Sequence, residues 1–473
     1  MKGVEKWAAD TRLIAVFGPA AGGLRCRWRQ GRRRARAPLP YNTVDDNESG
    51  KALPPHIPEL LAPAGTLAKL VTAIHYGADA VYLSGKRFGL REKAGNFAEE
   101  EIARAVDYAR ARGVKVYVTV NIFAHHDDIE LLPPYLLRLG SLGVDGLIVA
   151  DPGVLALARD TVPNLSLHLS TQANVTNSRA ARFWAAQGVS RINPARELSL
   201  EELRLLRAGT DAELEVFVHG ALCISYSGRC LLSSYMTGRD ANRGHCAHPC
   251  RYRYQLVEET RPGEYFPVEE DSRGTYIFNS KDLCLLDRLP QLVALGIDAL
   301  KIEGRMKSLF YVGGVVRVYR AALDYLAALP AQAWRDPATI ALPEAFREEI
   351  ARIGTRGLSR NFFDGPPGAG EMIYDSPRQG QSYEPVAVVV EAGAGVVTVE
   401  FRNQMRLGEE VEYMECGLAV QPVVLTAMAS EEGGAVAQAN PGNRLKVVTE
   451  PPLIGVEVDA LLRRRKKAKP HGG

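Results

Sequence analysis

The chain has 473 residues, of which 46% are hydrophobic and 24% charged, a globular composition long enough for one large domain and a smaller one. No apolar run approaches ~20 residues, which excludes a bilayer-spanning helix. The N-terminal run "TRLIAVFGPAAGGL" is broken by proline and glycine and followed by arginines, unlike a secretory signal, so a cytoplasmic chain with reduced thiols is expected. The net charge of +3 is unevenly spread: residues 1–56 hold 11 Lys/Arg against 5 Asp/Glu. Residues 1–55 therefore read as a basic extension without regular structure, or as the product of an upstream start codon. "RRRKKAK" makes residues 456–473 read as a basic tail, and both basic runs suit a polyanion such as RNA.

From Ile57 the pattern becomes regular. Strand-like runs "IPELLAPAG", "ADAVYLSG", "VKVYVTVN", "VDGLIVAD", "NLSLHLSTQ", "VSRINPAR", "AELEVFVHG" and "IDALKIEGR" are separated by helical runs or an insertion. The helical runs carry their own punctuation. "FAEEEIARAVDYARARG" stops on a glycine, Asn177 precedes "SRAARFWAAQG" as a cap, and "SLEELRLLRAG" opens with Ser-x-x-Glu. "DIELLPPYLLRLGSLG" is read as a helix with a kink at Pro133–Pro134, and "AHHDD" (Ala124–Asp128) as an exposed loop in preference to a metal site. Eight strand–helix units predict an α/β fold, a (β/α)8 TIM-like barrel over residues 56–330. The runner-up is a doubly wound open sheet, which lacks its usual glycine-rich nucleotide turn here.

A barrel of this kind places its chemistry at the C-terminal ends of its strands. Ser84, Asn121, Asp151, Gln172, Arg196, His219 and Glu303 fall there. Each has an ordinary alternative role, capping the helix that follows. Residues 331–380 read as a linker. From Tyr383 the period switches to two, which predicts a small all-β barrel or sandwich over 381–455.

Four of seven cysteines, Cys223, Cys230, Cys246 and Cys250, crowd into a segment spanning 217–254 with spacing C-x6-C-x15-C-x3-C. An odd cysteine count and a reducing compartment disfavour a disulfide framework. The spacing is not that of paired zinc knuckles, whereas four thiolates are the usual ligand set of an iron–sulfur cluster. Arg229, Arg239, Arg243, Arg251 and Arg253 flank the quartet against a single acid, Asp240, a collar that favours thiolates and would stabilise a net-negative cluster. The same arginines suit an anionic substrate or RNA phosphate. Buried structural thiols are the plain alternative, as is zinc, with His245 and His248 as further ligands. A nucleophile reading has only Cys223 near His219, and no G-x-S-x-G or H-E-x-x-H is present.

"EVFVHGALCISYSGRCLLS" (Glu215–Ser233) fits E-x-F-x2-G-[SA]-[LIVM]-C-x4-G-x-C-x-[LIVM]-S at every specified position and resembles the signature of the peptidase U32 (collagenase-like) family. "LAPAG", "NSKDLC" (Asn279–Cys284) and "LKIEGRMKS" (Leu300–Ser308) are similar to that family too, and the resemblance runs from about residue 57 to 455. It implies more than the family name does. Members include tRNA hydroxylation proteins that make 5-hydroxyuridine at the wobble position, a 23S rRNA cytidine hydroxylation protein and ubiquinone hydroxylation proteins. The length and terminal β region are most similar to the tRNA group. The resemblance implies a [4Fe–4S] cluster on Cys223, Cys230, Cys246 and Cys250, with Cys284 as a substitute for Cys250. It also implies prephenate as oxygen source, a tRNA anticodon loop as substrate and a redox partner. On that reading Arg196, Arg229 or Arg305 clamps a dicarboxylate, Gln172 and Asn121 line the substrate site, and His219 and Glu303 are the acid–base candidates. The alternatives are a U32 peptidase, an rRNA hydroxylation protein, and a non-catalytic RNA-binding protein with structural zinc.

Overall fold

The computed structural model describes residues 55–89, 96–221, 281–354, 357–365, 381–393 and 396–466, with Ser233, Thr237, Ala247 and four short strands between 255 and 276. The expected extension over residues 1–54 and the quartet Cys223, Cys230, Cys246 and Cys250 lie outside the described residues. Among the described residues, no helix is long and apolar enough to cross a membrane.

Eight parallel strands close into a barrel: β1 (Glu59–Pro63), β2 (Ala80–Ser84), β3 (Lys115–Val120), β4 (Gly146–Val149), β5 (Ser166–Leu169), β6 (Arg191–Ile192), β7 (Glu213–Gly220) and, after a long excursion, Ala299–Ile302. That last strand pairs with both β1 and β7, which closes the cylinder. Between them run α1 (Leu67–His75), α2 (Glu99–Arg110), α3 (His126–Leu142), α4 (Pro152–Thr161), α5 (Ser178–Ala186) and α6 (Leu200–Ala208). The strands carry β-branched and aliphatic residues whose outward faces meet these helices, and Leu60, Val81, Val118, Leu147 and Leu300 are fully buried there. Cap residues set the helix starts: Asn177 and Ser199 accept from backbone N–H groups of Ala180 and Glu202.

The excursion returns through β8 (Asp282–Cys284), antiparallel to β7 with Leu283 opposite Gly220 and Cys284 opposite His219. Then come α7 (Leu289–Ala294), the closing strand β9 (Ala299–Ile302), α8 (Leu309–Ala327), α9 (Glu344–Arg352) and β10 (Leu358–Ser359), which pairs with β8. A second closed barrel, antiparallel, follows: β11 (Tyr383–Ala392), β12 (Val397–Phe401), β13 (Glu410–Met414), β14 (Val420–Ala429), β15 (Arg444–Glu450) and β16 (Leu461–Arg465), in spatial order β11-β12-β15-β14-β13-β16. Its core is Val386, Val389, Val399, Phe401, Val411, Leu425 and Leu462.

Three expectations are corrected. The stretch 331–380 is not only a linker, because α9 lies within it and buries Phe346, Glu349 and Ile350. Residues 456–466 are not a tail. β16 completes the small barrel, and Arg463, read as part of a solvated charge run, is fully buried because Glu349 and Glu412 neutralise it. "AHHDD" is the start of a helix, not a loop: His125 caps α3 and its backbone N–H donates to Asp128.

The two barrels share a polar joint. The Tyr76 hydroxyl donates to the Met414 carbonyl at 3.1 Å and accepts from Leu461 N–H at 2.9 Å. Arg317 of α8 donates to the carbonyls of Glu415 and Ala419 and pairs with Glu349 at 2.7 Å.

Candidate functional site

Inward-pointing side chains fill the large barrel in layers. Near the N-terminal ends of the strands, Glu59 accepts from Arg191 at 2.6 Å, Lys115 at 3.0 Å and the Tyr117 hydroxyl at 3.1 Å. Burial alone would raise the Glu59 carboxyl, but the cations Arg191 and Lys115 pull it from 4.5 down to about 2. One layer up, Lys301 donates to Glu215 at 2.6 Å and Asn193 to the same oxygen at 2.9 Å. Among the described residues, Glu215 Oε2, Asn193 Oδ1 and His168 Nδ1 have no hydrogen-bond partner. These layers are structural: they close off the cylinder and leave the opposite end for chemistry.

At the C-terminal mouth, cations and rings alternate. The Arg196 guanidinium carbon lies 5.4 Å from the centre of the Phe217 ring, and Lys301 Nζ 5.3 Å from the same ring. Lys301 Nζ also lies 4.6 Å from the Tyr82 ring, with the Arg305 guanidinium carbon 5.8 Å from it. The row Arg196–Phe217–Lys301–Tyr82–Arg305 therefore joins β2, β7, β9 and two rim loops. Cation–π contacts of this kind hold long side chains in place. Arg305 is 5% exposed and donates to Thr119 Oγ1 at 3.2 Å, while Arg196 donates to the Ala221 carbonyl at 3.2 Å. Pre-positioned guanidiniums recognise carboxylates bidentately.

Two motif glycines make room for this row. A Cβ on Gly65, the last residue of "LAPAG", would lie 2.2 Å from the Arg305 carbonyl oxygen, so only glycine lets the two rim loops touch. Gly220 adopts φ +113 at the end of β7, and a Cβ there would lie 2.5 Å from the Glu303 carbonyl. The segments that carried the resemblance are thus neighbours in space.

The sequence-derived residues fall into distinct settings. Asn121 and Gln172 come together: Asn121 Nδ2 donates to Gln172 Oε1 at 2.5 Å, and Gln172 Nε2 donates to the Asn121 carbonyl at 3.1 Å. Ser170 Oγ also donates to Gln172 Oε1, at 3.1 Å. Glu303 is buried at the end of β9, and its N–H donates to the His219 carbonyl at 2.8 Å. The His219 ring is fully buried against Tyr311 and Tyr319, and burial pushes it from 6.5 down to about 4. It is therefore neutral at pH 7, and the same burial makes it a weaker base than an exposed histidine. Cys284 sits opposite His219, its Sγ 3.8 Å from the Tyr319 hydroxyl, and burial pushes its thiol up. Arg229 lies outside the described residues. Asp151 caps α4 through bonds from Gly153 and Val154 N–H groups. Ser84 donates to the Gly85 carbonyl.

Sequence reading passed over Tyr82, Thr119, Phe217 and Lys301. A signal existed: Ala299, Lys301 and Glu303 alternate with apolar residues in "ALKIE", which places a lysine on the inner face of a strand.

The segment carrying the cysteine quartet departs from β7 after Gly220 and returns at β8 beside it, so both of its ends stand at this mouth. Four thiols in one such segment fit an iron–sulfur cluster by the chemistry of the donor set.

Comparison with known proteins identifies the family. Residues 65–373 match the model of peptidase family U32, and residues 381–463 match that of the peptidase family U32 C-terminal domain. The tRNA hydroxylation protein P1 of Bacillus subtilis (strain 168) is 42% identical over 367 residues, covering 77% of this chain and 85% of that one. The tRNA hydroxylation protein P of Haemophilus influenzae is 34% identical over 402 residues, covering 76% and 85%. An uncharacterized protease of Methanocaldococcus jannaschii is 38% identical over 310 residues, covering 64% and 72%. A two-barrel chain whose signature glycines and mouth arginines meet on one rim, and whose sequence matches both models in order, belongs to peptidase family U32.

Proposed function

We propose that this chain is a tRNA hydroxylase that forms 5-hydroxyuridine at the wobble position, with prephenate as oxygen donor. The observation that carries the reading is 42% identity to a tRNA hydroxylation protein across 77% of the chain. The geometry of the mouth supports it. Arg196 and Arg305 stand at the two ends of the cation–ring row, and each offers a planar fork to a carboxylate. Asn121 and Gln172, bonded to each other at the strand ends, are the amides assigned here to a base taken out of its stack. His219 and Glu303, joined by the Glu303 N–H to the His219 carbonyl at the ends of β7 and β9, are the acid–base candidates.

Cys223, Cys230, Cys246 and Cys250 would hold a [4Fe–4S] cluster, and Cys284, engaged with Tyr319, is the weaker fourth ligand. When bound, the cluster supplies electron transfer and Lewis acidity at the rim. The chain's own residues hold the carboxylates, orient the base and cover the site.

The test is mass spectrometry of tRNA nucleosides from a strain lacking all such genes, complemented with this chain or with Cys230→Ser. Restored 5-hydroxyuridine with the parent and none with the variant is expected. Anaerobically purified parent should hold iron and sulfide at about four each. A parent chain that restores no 5-hydroxyuridine would overturn the reading.

A further inference from the structure

A tRNA hydroxylase must hold a polyanion, yet the small barrel is acidic. Residues 381–466 carry eight Lys/Arg against twelve Asp/Glu, a net charge of −4. Two of those arginines, Arg463 and Arg464, are spent on Glu349, Glu384, Glu409 and Glu412. Arg402 and Arg444 share Glu400. On the large barrel most surface arginines are likewise matched: Arg138 with Glu99, Arg204 with Glu201, Arg288 with Asp364 and Arg347 with Glu344.

Helix α5 carries two that are not, side by side, where Arg104 and Arg335 are single. Arg179 and Arg182 are exposed one turn apart, and among the described residues neither meets a carboxylate or any other partner. Like charges one turn apart repel and destabilise a helix. Phe183 beside them is 57% exposed, its ring centre 5.5 Å from that of Trp184 in an edge arrangement. On adjacent α6, Leu205 is 55% exposed. The helix buries just one residue completely, Ala181, so its outward face is both cationic and aromatic. It also lies close to the site. Seven residues separate Gln172 from Arg179, which bounds their separation at about 25 Å.

We propose that the outer face of α5 is an RNA-docking surface, with Arg179 and Arg182 on successive phosphates and the Phe183 ring under an unstacked base. Paired cations with an adjacent exposed ring are what single-stranded RNA requires: charge to follow the backbone and a flat apolar face for a base. The proposal rests on the tRNA reading above and extends it to a contact surface away from the mouth.

The experiment is fluorescence anisotropy of labelled tRNA transcript with the intact, anaerobically purified chain over a series of salt concentrations. R179A/R182A should weaken binding and flatten the plot of log K against log salt by about 1.4 to 1.8, the release expected from two phosphate contacts. Phe183→Ala should weaken binding about tenfold. All three side chains are exposed, so melting temperature and iron content should match the parent. Unchanged affinity and slope in the variants, with the parent binding tRNA, would overturn the docking surface and leave the hydroxylase reading standing. A parent that dimerises in sedimentation, with variants that become monomers yet bind tRNA equally, would overturn it in favour of self-association. A parent that binds no tRNA at any salt would remove the reading and the surface together.

Discussion

Arg463, on the last strand of the small barrel, reaches Glu349 on α9, its Nη2 donating to Oε2 at 3.1 Å, and neither side chain is more than 4% exposed. Arg317 approaches the same carboxylate from α8 at 2.7 Å. One anion thus neutralises two cations that arrive from different domains. Burial opposes ionisation of Glu349, and the two arginines outweigh it and lower its pKa. Glu349→Ala should leave Arg317 buried without a carboxylate and Arg463 with Glu412 alone, and cost about 3–5 kcal/mol. Denaturant unfolding followed by tryptophan fluorescence checks this. A loss under about 1 kcal/mol would show the joint to be solvated.

Acid stability should carry the signature of Glu59. Its pKa falls from 4.5 to about 2 in the folded chain, since Arg191 and Lys115 overcome the cost of burial. A folded value below the unfolded one means the stabilisation is complete above about pH 4.5 and is lost as pH falls toward about 2. At 1.36 kcal/mol per unit, the amount is on the order of 3 kcal/mol. Unfolding free energy measured between pH 5 and pH 2.5 should decline steeply in the parent. Glu59→Gln should be less stable at pH 7 and show a shallower decline, and equal slopes would refute the assignment.

Gly65→Ala tests the contact between the first and last rim loops. The new methyl would sit 2.2 Å from the Arg305 carbonyl, which also accepts from Lys69 Nζ at 3.0 Å. The loop must shift, at about 1–3 kcal/mol of stability, and Arg305 must move with it. Tm should drop while 5-hydroxyuridine formation falls further than stability alone explains. An unchanged Tm would mean the loops do not touch.

Arg196→Lys and Arg305→Lys keep the charge but lose the planar fork. With prephenate as oxygen donor, each should raise the concentration giving half-maximal hydroxylation about tenfold or more, a change of about 1.4 kcal/mol in binding, while tRNA affinity stays the same. Lysine variants that respond to prephenate as the parent does would remove the two arginines from the clamp.

The alternation of strand and helix was readable because each strand is a short β-branched run and each helix ends on a glycine or begins on a cap, as at Asn177 and Ser199. The closing strand was readable for the same reason. The last strand of the small barrel was not, because "LLRRR" has no apolar alternation. Arg463 takes an inward position that only its partners Glu349 and Glu412, distant in sequence, make tolerable. At the mouth, Asn121, Gln172, Arg196, His219 and Glu303 were legible as strand-end polar residues. Their pairings were not: the Asn121–Gln172 pair spans 51 positions, and the cation–ring row depends on register between strands that sequence does not encode locally. Burial of His219 between Tyr311 and Tyr319 likewise depends on where α8 packs.

The hydrogen-bonded pairing of Leu283 with Gly220 fixes the two feet of the long excursion side by side on one wall. A detour anchored in this way can lengthen, shorten or be exchanged without altering how the cylinder closes, since β9 finds β1 and β7 by its own register. The architecture thus separates scaffold from cargo, and chimeras that swap residues 221–281 between relatives would transfer reactivity while leaving the host's stability intact.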